Sequence, residues 1–215
     1  NNLQKRILTT LIVLPLSIFF VVKGDYFLSF FLIFVLFAGM HELFSVFKKI
    51  ESILFLSLIL ILSLFSIYYL RASGEVSFKL LIWVIILCIC SDIGGYVFGK
   101  IFKWKKITEI SPNKTLSGVL GSFIFSLFSL FIVENISFTS SAFIQFLEPK
   151  FFFLAIIFSL VAQIGDLTIS FFKRLEDVKD TGKILPGHGG IFDRIDGLMF
   201  VVILALLLIQ FNIIP

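Results

Sequence analysis

The sequence predicts an all-α integral membrane protein, a polytopic bundle of about seven transmembrane helices with a cytoplasmic N-terminus and the C-terminus outside. Composition is the first reason: 59% of the 215 residues are hydrophobic, only 15% are charged, and the mean hydropathy is +1.09, far from the usage of a soluble domain. The second is run length. Several stretches reach the roughly 20 apolar residues a helix needs to cross about 30 Å of hydrocarbon, and none shows the alternation of a barrel strand. The third is charge placement, since fourteen of the 18 Lys and Arg fall on one side when the runs are threaded alternately, and that richer side is the cytoplasmic one.

The first run, 7–22, follows Lys5 and Arg6 and contains Pro15, which predicts a kinked or re-entrant segment. Val21, Val22 and Lys23 stand where a leader would need small residues, so it is read as a helix and not a cleaved signal. The second run, 26–47, carries His41 and Glu42 near its end; Ser45 occupies the place of the second His of an H-E-x-x-H zinc motif, so both read as ordinary polar residues. The third covers 52–70. The fourth, 79–99, contains Cys88 and Cys90, a lone C-x-C read as small buried hydrophobes. It ends in SDIGGYVFGK, where Asp92, Gly95, Tyr96 and Gly99 share a face on which small residues admit a neighbouring backbone. The fifth, 115–133, follows SPNKTLSG, a Ser-Pro turn with Lys114 and Thr115 at a helix start, where amides and an ammonium attract anions. The sixth, 151–172, has Gln163, Asp166, Ser170 and Lys173 at steps of three, four and three, a polar face that cannot point at lipid. The seventh is 197–214. The 30 Phe residues are lipid-facing and packing bulk. Residues 1–78 form the N-terminal helices and 79–215 a transmembrane region that carries the cytoplasmic loops and polar motifs, the whole being one integrated domain.

Chemistry concentrates at the cytoplasmic ends. Asp92 and Asp166 are carboxylates at the mouths of two spans, which raises a shared cation site. Residues 179–196, KDTGKILPGHGGIFDRID, add phosphate-binding cations, glycines that let amides come close, and Asp193 and Asp196 as hard oxygen ligands. Together these describe a site for a metal-bound polyphosphate. His188 reads equally as phosphate donor, proton shuttle or turn residue. No Walker loop, nucleophile elbow or nucleic-acid-binding pattern is present, and the +4 net charge is accounted for by the cytoplasmic loops.

From Ser170 to Asp196 the chain resembles the phosphatidate cytidylyltransferases, also called CDP-diacylglycerol synthases. The family's signature is matched in spacing throughout: Ser170, Lys173-Arg174, Lys179-Asp180, Gly182, Leu185-Pro186, His188-Gly189-Gly190 and Asp193-Arg194-Ile195-Asp196. Looser agreement lies upstream, in Asp92 to Tyr96 and in Ser111 to Thr115; Leu116 and Ser117 replace the aromatic and Glu that commonly follow in the family, so no role of that Glu is carried over.

The resemblance implies a multi-pass enzyme of the inner (plasma) membrane that converts CTP and phosphatidic acid into CDP-diacylglycerol and pyrophosphate. It implies Mg²⁺, alone or with a second cation, held by Asp166 and Asp193 with Asp92 and Asp196 as further ligands or their partners. It implies phosphate contacts from Lys173, Arg174, Lys179 and Arg194, with Asp180 and His188 in the same constellation. Ser111, Lys114, Thr115, Gly189 and Gly190 close on the nucleotide, and a homodimer is implied by the family alone. A transporter with ion-coupling aspartates explains Asp92 and Asp166 but not the glycine and charge cluster. A CTP-dependent lipid kinase stays open as a chemical neighbour. A CDP-alcohol phosphatidyltransferase fails, because Asp193-x-x-Asp196-Gly197 is not followed by that family's remaining motif.

Overall fold

The computed structural model describes residues 2–108, 111, 114–136, 146–182, 184 and 189–214, with side chains at 11–13 and from 15 onward among them. Seven helices follow one another: α1 (Asn2–Lys23), α2 (Asp25–Val46), α3 (Ile50–Ala72), α4 (Glu75–Phe102), α5 (Leu116–Asn135), α6 (Pro149–Leu175) and α7 (Phe192–Gln210). Each expected apolar run falls on one of them. Among the described residues there is no strand, only an isolated antiparallel bridge between Lys106 and Thr115.

Five of the helices, α2 to α6, are long and apolar enough to cross a membrane. Of the seven expected spans, five therefore fall on helices with the length and composition of a span among the described residues. The reason at α7 is local, for Asp193, Arg194 and Asp196 crowd its first turns. In α1 the apolar part runs from Leu11 to Lys23.

Short links set the up-and-down order. Gly24 at φ 71° and Gly74 at φ 113° turn the chain between α1 and α2 and between α3 and α4, conformations that glycine adopts without a Cβ penalty. Arg71 then fixes that end, donating from Nε to the Val21 carbonyl at 2.9 Å and from NH2 to the Val22 carbonyl at 3.0 Å. α5 starts where Thr115 Oγ1 accepts from the Gly118 amide at 3.1 Å, an N-cap, and α6 starts on Pro149.

α4 and α5 pack backbone to backbone. A Cβ built on Gly94 would collide with the Gly121 carbonyl, one on Gly121 with the Gly94 carbonyl, and one on Gly118 would lie 2.9 Å from the Gly95 carbonyl. The small-residue face expected from Asp92, Gly95 and Gly99 thus receives α5, but Tyr96 stands outside it, 67% exposed. Lower in the bundle Trp83 is completely buried, donating from Nε1 to Ser129 Oγ at 3.0 Å and lying against Phe146, Phe151 and Phe158. Serines bridge the layers: Ser91 and Ser159 share a hydrogen bond at 2.8 Å, and Ser122 donates to the Ser91 carbonyl at 2.8 Å. Without water, such polar atoms have to find protein partners.

In an alternating bundle the C-terminal ends of α2, α4 and α6 meet the N-terminal ends of α5 and α7. All the polar motifs singled out in the sequence lie at this one end.

Candidate active site

α7 begins on Ile191, which has no side-chain oxygen to cap its first amides. Helix starts leave such donors orphaned, and here a carboxylate from the far side of the chain accepts them. Glu42, 1% exposed on α2, accepts from the Ile191 amide at 2.9 Å, from the Phe192 amide at 3.3 Å and from Thr181 Oγ1 at 3.4 Å. Sequence reasoning missed this residue. The helical spacing of α2 does carry a signal, for Gly39, Glu42 and Leu43 are all buried on one stripe, and an acidic residue on a buried stripe demands partners.

Asp193 grips the same segment from the other side. Its Oδ2 accepts from the Thr181 amide and the Gly190 amide, both at 2.9 Å, and its Oδ1 accepts from Lys173 Nζ at 2.8 Å. The Lys173 and Asp193 side chains are only 11% and 7% exposed, so this is a buried pair whose members depend on one another. The glycines of the signature make room for it. A Cβ on Gly190 would run into Thr181 Oγ1 and lie 2.6 Å from Glu42 Oε2, and one on Gly189, at φ +87°, would lie 2.7 Å from Asp193 Oδ2.

Beside this clasp lies an acidic group drawn from three helices. Lys114, ahead of α5, reaches into α6, pairing with Asp166 Oδ2 at 2.6 Å and donating to the Gln163 carbonyl at 3.0 Å. Ser170 donates to Asp166 Oδ1 at 3.4 Å. The Asp196 carboxyl is within hydrogen-bonding reach of Asp166, and Asp92 lies near enough to feel the charges of Asp166, Lys114 and Arg194. Asp196 Oδ1 also accepts from the Gly197 amide at 2.8 Å.

The inward face expected on α6 therefore exists, but its ions pair differently from the simplest reading. Asp166 takes Lys114 and not Lys173, and Lys173 takes Asp193. Arg174 is exposed and donates to the Val178 carbonyl at 3.1 Å. Lys179 and Asp180 are exposed at the entry to the clasp, and Ser111 turns the chain into Lys114, whose amide donates to the Ser111 carbonyl at 3.0 Å. His188 lies outside the described residues.

Mg²⁺ is a hard cation that takes one or two carboxylates and leaves its other positions to water and substrate phosphates. Among the described residues no three His, Cys, Asp or Glu are gathered as a ready cage. The neighbouring carboxyls of Asp166 and Asp196, with Asp92 near them, fit the smaller demand of Mg²⁺. Asp193 offers less, because three donors already occupy its carboxylate, leaving one lone pair on Oδ1.

The model of the cytidylyltransferase family matches residues 46–212. The phosphatidate cytidylyltransferase of Staphylococcus haemolyticus (strain JCSC1435) is 39% identical over 145 residues, 66% of this chain and 54% of that protein. That of Staphylococcus saprophyticus is 44% identical over 123 residues, 56% of this chain and 45% of its own length. The Helicobacter pylori enzyme of the same name is 37% identical over 139 residues, 64% and 48% of the two chains. The chain thus spans about half the length of the curated relatives it matches. The family match starts far upstream of the signature and covers every site residue above except Glu42. On these grounds, the chain belongs to the cytidylyltransferase family.

Proposed function

We propose that this chain catalyses cytidylyl transfer from CTP to phosphatidic acid, giving CDP-diacylglycerol and pyrophosphate. The observation that carries the reading is the convergence of Lys114, Asp166, Lys173, Asp193 and Asp196 at the one end of the bundle where the family signature is folded. The lipid's phosphate oxygen attacks the α-phosphorus of CTP. A bond forms there, the bond from that phosphorus to the bridging oxygen breaks, and the electron pair leaves with pyrophosphate. No strong base is required, since a phosphate monoester is already anionic at neutral pH. The barrier is electrostatic, one anion approaching another, and positioned positive charge lowers it.

Lys114 and Lys173 each hold a carboxylate in the resting site, and each is placed to exchange that partner for a phosphate oxygen. Arg174, Lys179 and Arg194 ring the entrance. Amides at Gly189 and Gly190 and the hydroxyl of Thr115 line the nucleotide side, with Ser111 and Asp180 beside them; His188 is kept as a phosphate-binding candidate on the strength of the signature alone. Asp166 and Asp196, with Asp92 and the remaining lone pair of Asp193, are the ligands proposed for Mg²⁺, alone or with a second cation. When bound, the metal would neutralise phosphate charge and help pyrophosphate depart.

The same proposal has seven spans in a cell's inner membrane, N-terminus inside and C-terminus outside, a reading that the fourteen to four division of Lys and Arg supports. The catalytic region is 79–215, resting on α2, and a homodimer is the family's precedent.

Purified protein given CTP, phosphatidate and Mg²⁺ is expected to release pyrophosphate only when the lipid is present. Asp166→Asn should abolish that release while membrane insertion persists. Pyrophosphate release without lipid, or unaltered release by the variant, contradicts the assignment.

A further inference from the structure

We infer that Glu42 is a positioning residue for the nucleotide-binding segment of the site, an inference that rests on the function proposed above. Two carboxylates close one ring of contacts. Asp193 joins Thr181 to Gly190 through their amides, and Glu42 joins the Thr181 hydroxyl to the Ile191 and Phe192 amides. Thr181 and Gly190–Ile191 are thereby held at one place, with Lys179 and Asp180 leading into the clasp on one side and Gly189 and Gly190 on the other. The glycines mark how closely Glu42 is fitted, for a Cβ on Gly182 would lie 2.7 Å from its Oε1 and one on Gly190 2.6 Å from its Oε2.

A carboxylate suits this place for a reason of donors and acceptors. Glu42 faces amides and a hydroxyl, donors all, and both its oxygens accept. Glutamine keeps the shape but turns an NH₂ group toward those donors, leaving a buried amide without an acceptor. The segment's ends then lose their register, and the groups that meet the triphosphate move with them. Glu42 bonds to Thr181, Ile191 and Phe192 and not to the Lys114–Asp166 pair, so the disturbance should fall on the groups of the clasp, Lys179, Gly189 and Gly190, and through them on the nucleotide.

The test uses the full chain in lipid nanodiscs, comparing the parent with Glu42→Gln, Glu42→Asp and Thr181→Val. Glu42→Gln is expected to raise KM for CTP by about tenfold, misplacement of a binding group being costly at this scale, while KM for phosphatidate stays within about twofold of the parent. Glu42→Asp should recover part of the loss. Thr181→Val, which removes one hydroxyl and keeps the amide bond to Asp193, should move KM for CTP in the same direction by less. Trypsin should cut after Lys179 faster in Glu42→Gln than in the parent.

A residue that only holds the bundle together would lower the amount of active protein and leave both KM values alone; that pattern, or parental kinetics in Glu42→Gln, overturns the inference. If the parent itself forms no nucleotide-lipid product, the proposed activity falls, and the cleavage comparison alone decides the clasp: faster cutting supports it, an unchanged rate overturns it.

Discussion

Asp166 and Asp193 differ in their partners, although the sequence pairs them as equals. Asp166 sits among carboxylates and one lysine; Asp193 has three of its four lone pairs taken by Lys173 and two amides. Their asparagine variants should therefore differ. Asp166→Asn is expected to lose turnover with little change in thermal unfolding, because losing the ion pair to the partly exposed Lys114 is offset by relief of the repulsion between Asp166 and Asp196. Asp193→Asn strands Lys173 in a buried place, and breaking such a pair costs about 3–5 kcal/mol; a lowered unfolding temperature in nanodiscs would show it, and equal stability of the two variants would contradict the division of labour. The spacing of Lys173, Asp193 and Asp196 was readable from the signature. Glu42 was not, since a signature spans neighbours along the chain and this contact spans 149 residues. Nor was the pairing of Lys114 with Asp166 readable, because helical periodicity places residues on a face but does not choose a partner on another helix.

At the scale of elements, the α4–α5 contact is the tightest join, and its glycines were legible as a small-residue face. Which residues meet was decided by the approach of backbones, which put Gly94 and Gly95 at the seam and turned Tyr96 outward. Gly121→Val should force the helices apart and destabilise the protein by about 1–3 kcal/mol, read as a lower unfolding temperature. Thr115 and Lys114, at the start of α5, would shift with the seam, so activity should fall as well. A second join lies at the end of α6, where Glu176 accepts from the Lys49 amide at 3.0 Å and the Lys48 amide at 3.2 Å. The Lys49 amide above all holds this carboxyl below its ordinary value; desolvation opposes it, and the Lys48 amide and the two nearby ammonium charges add to the lowering. A depressed folded-state value means stabilisation that is present above the ordinary carboxylate range and lost as pH falls through the folded value. The unfolding temperatures of the parent and Glu176→Gln should accordingly differ at neutral pH and converge in acid. A constant gap across that range would contradict the contact.

The whole molecule is a bundle in which hydropathy alone located every helix, because in lipid a segment's backbone must satisfy itself and runs of apolar side chains leave no other choice. Hydropathy could not grade α7, whose charged first turns serve the site and whose remainder packs through Val201, Val202 and Ala205 in the core. It also said nothing about which helix ends converge; that follows from the short turns at Gly24 and Gly74 and from the α4–α5 seam. The consequence is a polar cluster to which five helices contribute at one end of the bundle, the place proposed for the reaction. Its central claim is that the α-phosphoryl group of CTP, with its nucleoside, passes to the lipid. Incubating the protein with phosphatidate, Mg²⁺ and CTP labelled either on the α- or on the γ-phosphate tests this directly. The prediction is that α-label enters the lipid fraction and γ-label leaves as pyrophosphate; γ-label in the lipid, or no lipid-borne label from either substrate, would contradict it.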